Sequence, residues 1–273
     1  MKLGMRGHDF GRMSISELAE SIKAAGFGCL QLAPTKAIEG IERFGDITPA
    51  LIERIKDEFE LKDLKIAVYG CYIEPSLEDE TDRLAQVEYF VQGIKWAKIL
   101  GAEIIGTETT HLDIASAPDV REAAYLRLKD SLIRMAKAAE KEGMDIGIEP
   151  VAEHVLNTPE LALRLLSEVG SPCIKIIFDP VNLVLPSTID RQREIYDSMF
   201  NFLGDKIAVV HMKDMVIQNG QKVWQKIGEG LIDYPYIFEW INKNKPDIPL
   251  LREIVRKDSC EQDRQAMIRL ALS

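Results

Sequence analysis

Cysteine is scarce in this chain and never clustered. The four thiols, Cys29, Cys71, Cys173 and Cys260, form no CxxC pair, which excludes a zinc knot and gives no disulfide framework. They are expected to be core thiols. No stretch approaches the roughly 20 consecutive apolar residues that a membrane-spanning helix needs, and the opening MKLGMRGHDF carries charges where a secretory signal would be apolar. The expectation is a cytoplasmic protein with no membrane partner. Positive charge is also short, with 34 Lys and Arg against 44 Asp and Glu and a net charge of −10. Such a surface repels a phosphate backbone unless a local groove overrides it, so nucleic acid is not the expected partner. A glycine-rich phosphate loop is missing after the first apolar run, where HDFGRM stands. A doubly wound dinucleotide-binding sheet therefore lacks its usual fingerprint.

What the chain does have is rhythm. Gly26, Gly101, Gly143, Gly170 and Gly204 each close a helical pattern and are soon followed by a short apolar run. Eight candidate strands result, over 2–6, 28–32, 65–71, 103–107, 145–149, 174–179, 206–211 and 249–253. Between them lie amphipathic patterns such as Leu84, Val87, Val91 and Ile94, or Leu128, Leu132, Met135 and Ala139. Ser14 with Glu17, and Ser187 with Asp190, have capping-box spacing, while Thr48-Pro49 and Thr158-Pro159 place a capping hydroxyl before a helix-compatible proline. Runs such as IKIIF and IAVV suit strands buried on both faces of a parallel sheet. Eight αβ units predict one domain over 1–273, a (β/α)8 TIM barrel with its active site at the C-terminal mouth of the strands.

Four of these runs, IGIE, IIFD, VVH and LLRE, end in metal-binding residue types: Glu149, Asp179, His211 and Glu253. The intervals of 30, 32 and 42 residues each match about one strand plus one helix. Four parallel staves of one barrel would aim those side chains at a common point, and the inference is a single metal centre. Any one such residue at a strand end could simply cap a helix or sit in water; all four at matched ends argue against that. Three carboxylates and an imidazole suit Mn²⁺ or Mg²⁺, with Co²⁺ or Zn²⁺ as further candidates. Around a dication this set leaves one negative charge, which Lys213 would balance if it turns to the face of His211; otherwise it is a solvated loop lysine paired with Asp214.

In the order and spacing of IGIEP, IIFDPVN, VVHMKD, GEGLIDY and LLRE, essentially the whole chain resembles the sugar isomerase and epimerase branch of the xylose-isomerase-like barrel superfamily. The resemblance implies that Glu149, Asp179, His211 and Glu253 hold a divalent metal, commonly manganese or magnesium. It further implies that Glu149 and Glu253 exchange a proton with opposite faces of a ketose-type sugar, sugar phosphate or polyol derivative through a metal-stabilised enediolate. Ketose 3-epimerases of that group carry a substrate-contacting Glu slightly beyond His154, in a loop where this chain has Val155. They also carry a His where this chain has Asn182.

His154, Asn182, Lys213, Glu108 and His8 are the candidate substrate-binding residues, with Asp9 and His111 beside them on the rim. His154 could act as acid or base near neutrality, whereas an amide at 182 can hydrogen-bond but not exchange a proton. Gly228 and Gly230 could cradle a phosphate on backbone N–H groups, or merely turn the chain before Asp233 caps a helix. Trp96, Trp224 and Trp240 could wall a pocket, though 96 and 240 fall on helical patterns and suit the core. A dehydratase acting on a keto-inositol or keto-sugar would share the same centre. An apurinic endonuclease with three zinc ions would require further histidines, and a non-catalytic binding barrel would need the two glutamates only for ligand affinity. Barrels of this type often pair through rim loops or outer helices, so a homo-oligomer is compatible with the sequence.

Overall fold

In the computed structural model, which describes residues 2–256 and 258–272, eight parallel strands close into a barrel. In chain order these are β1 (Lys2–Arg6), β2 (Cys29–Leu32), β3 (Lys65–Gly70), β4 (Ile104–Glu108), β5 (Asp145–Glu149), β6 (Ile174–Phe178), β7 (Ile207–Met212) and β10 (Pro249–Arg252). Each pairs with its predecessor, and β10 closes onto β1. The apolar runs predict every barrel strand to within one residue at each end, because a stave buried on both faces is apolar throughout and stops where the chain meets the mouth. Helices α1 (Ile15–Ala24), α2 (Pro34–Ala37), α3 (Pro49–Leu61), α4 (Glu80–Ile99), α5 (Pro118–Glu142), α6 (Pro159–Val169), α7 (Gln192–Leu203), α8 (Tyr234–Asn244) and α9 (Cys260–Leu272) lie between or after the strands. Among the described residues, none is long and apolar enough to cross a membrane.

Two apolar layers hold the architecture. The larger packs helices on the outside of the barrel; the smaller fills its interior with Cys29, Ala67, Val68, Ile104, Ile177, Val209 and Leu251. Room for those side chains comes from glycine: a Cβ at Gly106 would lie 2.7 Å from Ile177 Cδ1, and one at Gly147 would lie 2.7 Å from Ile104 Cδ1. Small residues on β4 and β5 thus admit large ones from other staves, the interdigitation that makes such a barrel a packed core.

Local signals hold at three of the four marked helix starts. Ser14 and Glu17 form the full capping box, and the Thr48 and Thr158 hydroxyls accept from Leu51 N and Leu161 N. Ser187 and Asp190 do not form theirs. The chain makes a short 3₁₀ turn there, Thr188 bonds back to Leu185, and α7 starts only at Gln192. Gly143 and Gly170 end their helices at φ of 67° and 71°, but Gly204 is right-handed at φ −51°. What Gly204 supplies is space, since a Cβ would lie 2.7 Å from the Trp240 ring, which stacks on Phe200 in the core.

One element is absent from the sequence expectations. Directly after Lys213 the chain forms an antiparallel hairpin, β8 (Asp214–Gln218) and β9 (Gln221–Gln225). Its turn residues Asn219 and Gly220 both have positive φ, 50° and 74°. An Asn-Gly pair between alternating residues is a strong short-range hairpin signal, and VIQNGQKV carries it.

Candidate metal centre

The barrel mouth gathers the four proposed ligands as the spacing predicts. Glu149 ends β5, Asp179 and Glu253 each follow the last residue of a strand, and His211 is the penultimate residue of β7. All four are 3% exposed or less. One ligand atom each from Glu149, Asp179 and His211 lies within 4.8 Å of the others. Glu253 stands at the edge of that trio, its Oε1 3.3 Å from His211 Nδ1, while Glu149 Oε2 is 3.2 Å from the same nitrogen. A buried carboxylate costs several kcal/mol unless it is compensated, so three of them require positive charge.

Lys213 supplies part of it. Its ammonium lies 2.7 Å from both Asp179 Oδ2 and Glu253 Oε2, and its carbonyl accepts from the buried Tyr234 hydroxyl at 2.6 Å. Burial alone would lower the lysine, but Asp179 and Glu253 outweigh it and hold Lys213 well above its usual range. Burial would raise Glu253, yet Lys213, His211 and Arg6 hold it well below the usual carboxylate range. The alternative pairing of Lys213 with Asp214 does not form. Asp214 instead accepts from Met215 N, Gly228 N, Gly230 N and Ile232 N. That same bonding corrects the phosphate reading of the Gly228–Gly230 turn: its inward N–H groups are already taken by an internal carboxylate, and a Cβ at Gly230 would collide with Asp214 Oδ1.

With Lys213 charged, Glu149, Asp179 and Glu253 leave an excess of two negative charges, the complement of a dication. The donor geometry agrees. Val181 N and Asn182 N both donate to Asp179 Oδ1 at 2.9 Å, which turns Oδ2 toward Lys213 and the centre. Asn182 Nδ2 donates to Glu149 Oε1 at 2.6 Å, leaving Oε2 on the His211 side. His211 Nδ1, Glu149 Oε2 and Glu253 Oε1 converge in the buried centre at 3.2 and 3.3 Å, with Asp179 Oδ2 3.9 Å from the same nitrogen, a cluster of donor atoms that a cation would bind together. Burial pulls the His211 imidazole down, but Glu253 and Glu149 raise it to about 9. These residues therefore fit a hard divalent ion, held by Glu149, Asp179 and His211 with Glu253 beside them.

Two partners of this centre escaped the sequence reading. Gln31 on β2 reaches His211, with Oε1 2.8 Å from Nε2, and donates from its own Nε2 to the Tyr72 hydroxyl at 2.6 Å. Arg6 on β1 lies 3.2 Å from Glu253 Oε2 and 2.7 Å from Asp9 Oδ1; Asp9 in turn accepts from Val255 N. Asp9 thus ties down the segment just after Glu253, where Ile254 holds a strained φ of 61°. An apolar strand interrupted by one amide, CLQL, was the available signal for Gln31.

The remaining candidates form the wall toward β1–β5. Glu108 pairs in register with Glu149, and burial together with Glu149 and Glu253 raises it to about 7. His154 Nε2 lies 3.9 Å from Glu108 Oε2, and its ring meets His111 edge-on at 6.0 Å. His8 meets the Tyr72 ring edge-on at 6.1 Å, with Nδ1 buried and unpartnered. Trp224, on β9, is 46% exposed and its ring centre is 5.9 Å from Lys213 Nζ. Trp96 packs partly buried against the outer core.

Solved structures share this fold along their whole length. The chain aligns with 3-keto-D-glucoside 4-epimerase YcjR from E. coli at TM-score 0.78 and 18% identity, covering 100% of both chains. It aligns with the IOLI protein carrying a zinc atom at 0.77 and 16%, covering 99% of this chain and 98% of that one. With the probable 3-DHS dehydratase AsbF from Bacillus anthracis the values are 0.76 and 18%, covering 98% and 99%. At these identities the likeness is one of fold. No curated protein sequence matches the chain. The sequence pattern of one family spans residues 19–271, every stave but β1 and all four candidate ligands, and the chain belongs to that family, the xylose isomerase-like TIM barrels.

Proposed function

We propose that this protein is a divalent-metal-dependent isomerase or epimerase of a ketose-type sugar, sugar phosphate or polyol derivative. The observation that carries this reading is the buried Glu149–Asp179–His211 group at the barrel mouth, its charge only partly balanced by Lys213. The 3-keto-sugar epimerase of the same fold supports it. Bound there, Mn²⁺ or Mg²⁺, with Co²⁺ or Zn²⁺ as alternatives, would polarise a substrate carbonyl and acidify the neighbouring C–H.

The protein's own groups then move the proton. Glu149 and Glu253 lie three staves apart in the barrel order and flank the centre from different sides. One withdraws the proton beside the carbonyl and the other returns it to the opposite face, inverting that carbon. Asn182 fixes the Glu149 carboxylate, and Lys213 fixes Glu253. His8, Glu108 and His154 line the wall where substrate hydroxyls would bind.

One observation favours a second outcome at the same site. A Glu108 carboxyl raised to about 7 is in part protonated near neutrality and can give its proton to a departing β-hydroxyl, which leaves as water. That would make the protein a dehydratase, like the fold relative from Bacillus anthracis.

Deuterium uptake from D2O separates these readings. Protein loaded with Mn²⁺ is incubated with a panel of ketoses, ketose phosphates and keto-inositols. Exchange beside a carbonyl, abolished by Glu149→Gln, is the expected result, with loss of water marking the dehydratase. No exchange across the panel with metal bound, or full exchange by Glu149→Gln, would overturn the assignment.

A further inference from the structure

A groove leads away from the metal centre over the hairpin. Its volume is about 620 Å³, and its lining includes Asn182, Glu153, Lys222, Trp224 and Ile114, inside the roughly 300–1,000 Å³ range of small-molecule sites. Two features join it to the centre. Asn182 lines the groove while its amide donates to Glu149 Oε1 at 2.6 Å, and the Trp224 ring lies 5.9 Å from the ammonium of Lys213. Lys222 Nζ donates to Val181 O at 2.9 Å, which fastens the hairpin to the segment between Asp179 and Asn182.

The lining has the chemistry of a carbohydrate subsite. Trp224 is 46% exposed and Ile114 48%, and both line this one groove, so together they give it an open apolar wall. The same lining carries the Glu153 carboxylate, the Lys222 ammonium and the Asn182 amide. A sugar ring offers the matching surfaces, with an apolar C–H face for the indole and hydroxyls for Glu153, Asn182 and Lys222. A lone monosaccharide at the metal would leave this groove to water.

We infer that the groove is a second sugar subsite, so the substrate is a glycoside whose reacting ring sits at the metal centre and whose attached ring stacks on Trp224. This inference rests on the proposed sugar chemistry at that centre and names its substrate class.

The test compares D-fructose with three disaccharides that carry fructose at one end through different linkages: lactulose, turanose and isomaltulose. Binding to the Mn²⁺-loaded protein is followed by calorimetry and tryptophan fluorescence, and deuterium exchange into D-fructose is measured in parallel. At least one disaccharide should bind about tenfold more tightly than D-fructose, equivalent to about 1.4 kcal/mol, and quench the fluorescence. Trp224→Ala should bring that ratio to within about twofold, and Trp224→Phe should keep part of it. The subsite is overturned if no disaccharide gains affinity, or if the gain survives Trp224→Ala. Exchange into D-fructose without any disaccharide gain would sink the subsite alone. A gain that depends on Trp224, with no exchange in any sugar, would uphold the subsite and sink the catalytic reading.

Discussion

His211 Nε2 donates to Gln31 Oε1 at 2.8 Å across the barrel mouth, a bond between residues 180 positions apart. Gln31 presents its oxygen because its Nε2 is donating to Tyr72. With Nε2–H committed to Gln31, Nδ1, which faces Glu149 and Glu253, is the nitrogen left to ligate a metal once the ion displaces its proton. Gln31→Met should weaken Mn²⁺ binding by about 10- to 100-fold, read by electron paramagnetic resonance of the free ion. Gln31→Glu, which keeps an acceptor, should retain most of the affinity. Equal loss in both variants would show that the tautomer is not held by this bond.

Lys213 carries the charge balance of the metal-free protein. Replacing it with Met leaves Asp179 buried without its ammonium partner and Glu253 with Arg6 alone, a loss of about 3–5 kcal/mol in urea unfolding of the metal-free protein. Mn²⁺ should recover more of the lost stability in Lys213→Met than it adds to the wild type, because the ion restores charge to the same carboxylates. An unchanged unfolding midpoint would contradict this account of Lys213.

The eight staves and the four candidate ligands are legible in the sequence because one physical fact encodes both: a strand buried on two faces is apolar until it reaches the mouth, where the first polar residue faces the site. Lys213 is legible in part, through charge balance. Gln31 and Arg6 are not, because their roles exist only once closure brings β2 and β1 near β7 and β10. A register shift at Leu30/Gln31 also departs from simple strand pairing. The Gly228–Gly230 turn misleads for a related reason. Its N–H groups do bind an anion, but that anion is Asp214, supplied by the hairpin that the Asn219-Gly220 pair announces.

That turn gives a stability prediction. Asp214→Ala strands four backbone donors and should cost about 3 kcal/mol or more, and Gly230→Ala should cost about 2 kcal/mol or more because its Cβ has no room. Chemical denaturation of each variant checks both values. A loss below 0.5 kcal/mol, the scale of neutral surface changes, would contradict the bonding described.

His8 predicts a pH dependence. Burial, with Arg6 and Lys36 nearby, holds its imidazole down at about 4, while Glu253 pulls weakly the other way. The unfolded chain takes up this proton below its ordinary value of 6.5, and the folded protein does not until about 4. Stability present above pH 6.5 is therefore lost as pH falls toward 4. His8→Asn should flatten that limb in thermal denaturation series. A variant whose acid limb matches the wild type would place the lost stability elsewhere.

The central claim is a single divalent ion held by Glu149, Asp179 and His211. Crystals grown with Mn²⁺ and measured at the manganese absorption edge test it most directly. The account predicts one strong anomalous peak within about 2.3 Å of a carboxylate oxygen of Glu149, one of Asp179 and Nδ1 of His211. No peak at the barrel mouth, or a peak bound by other residues, would contradict it.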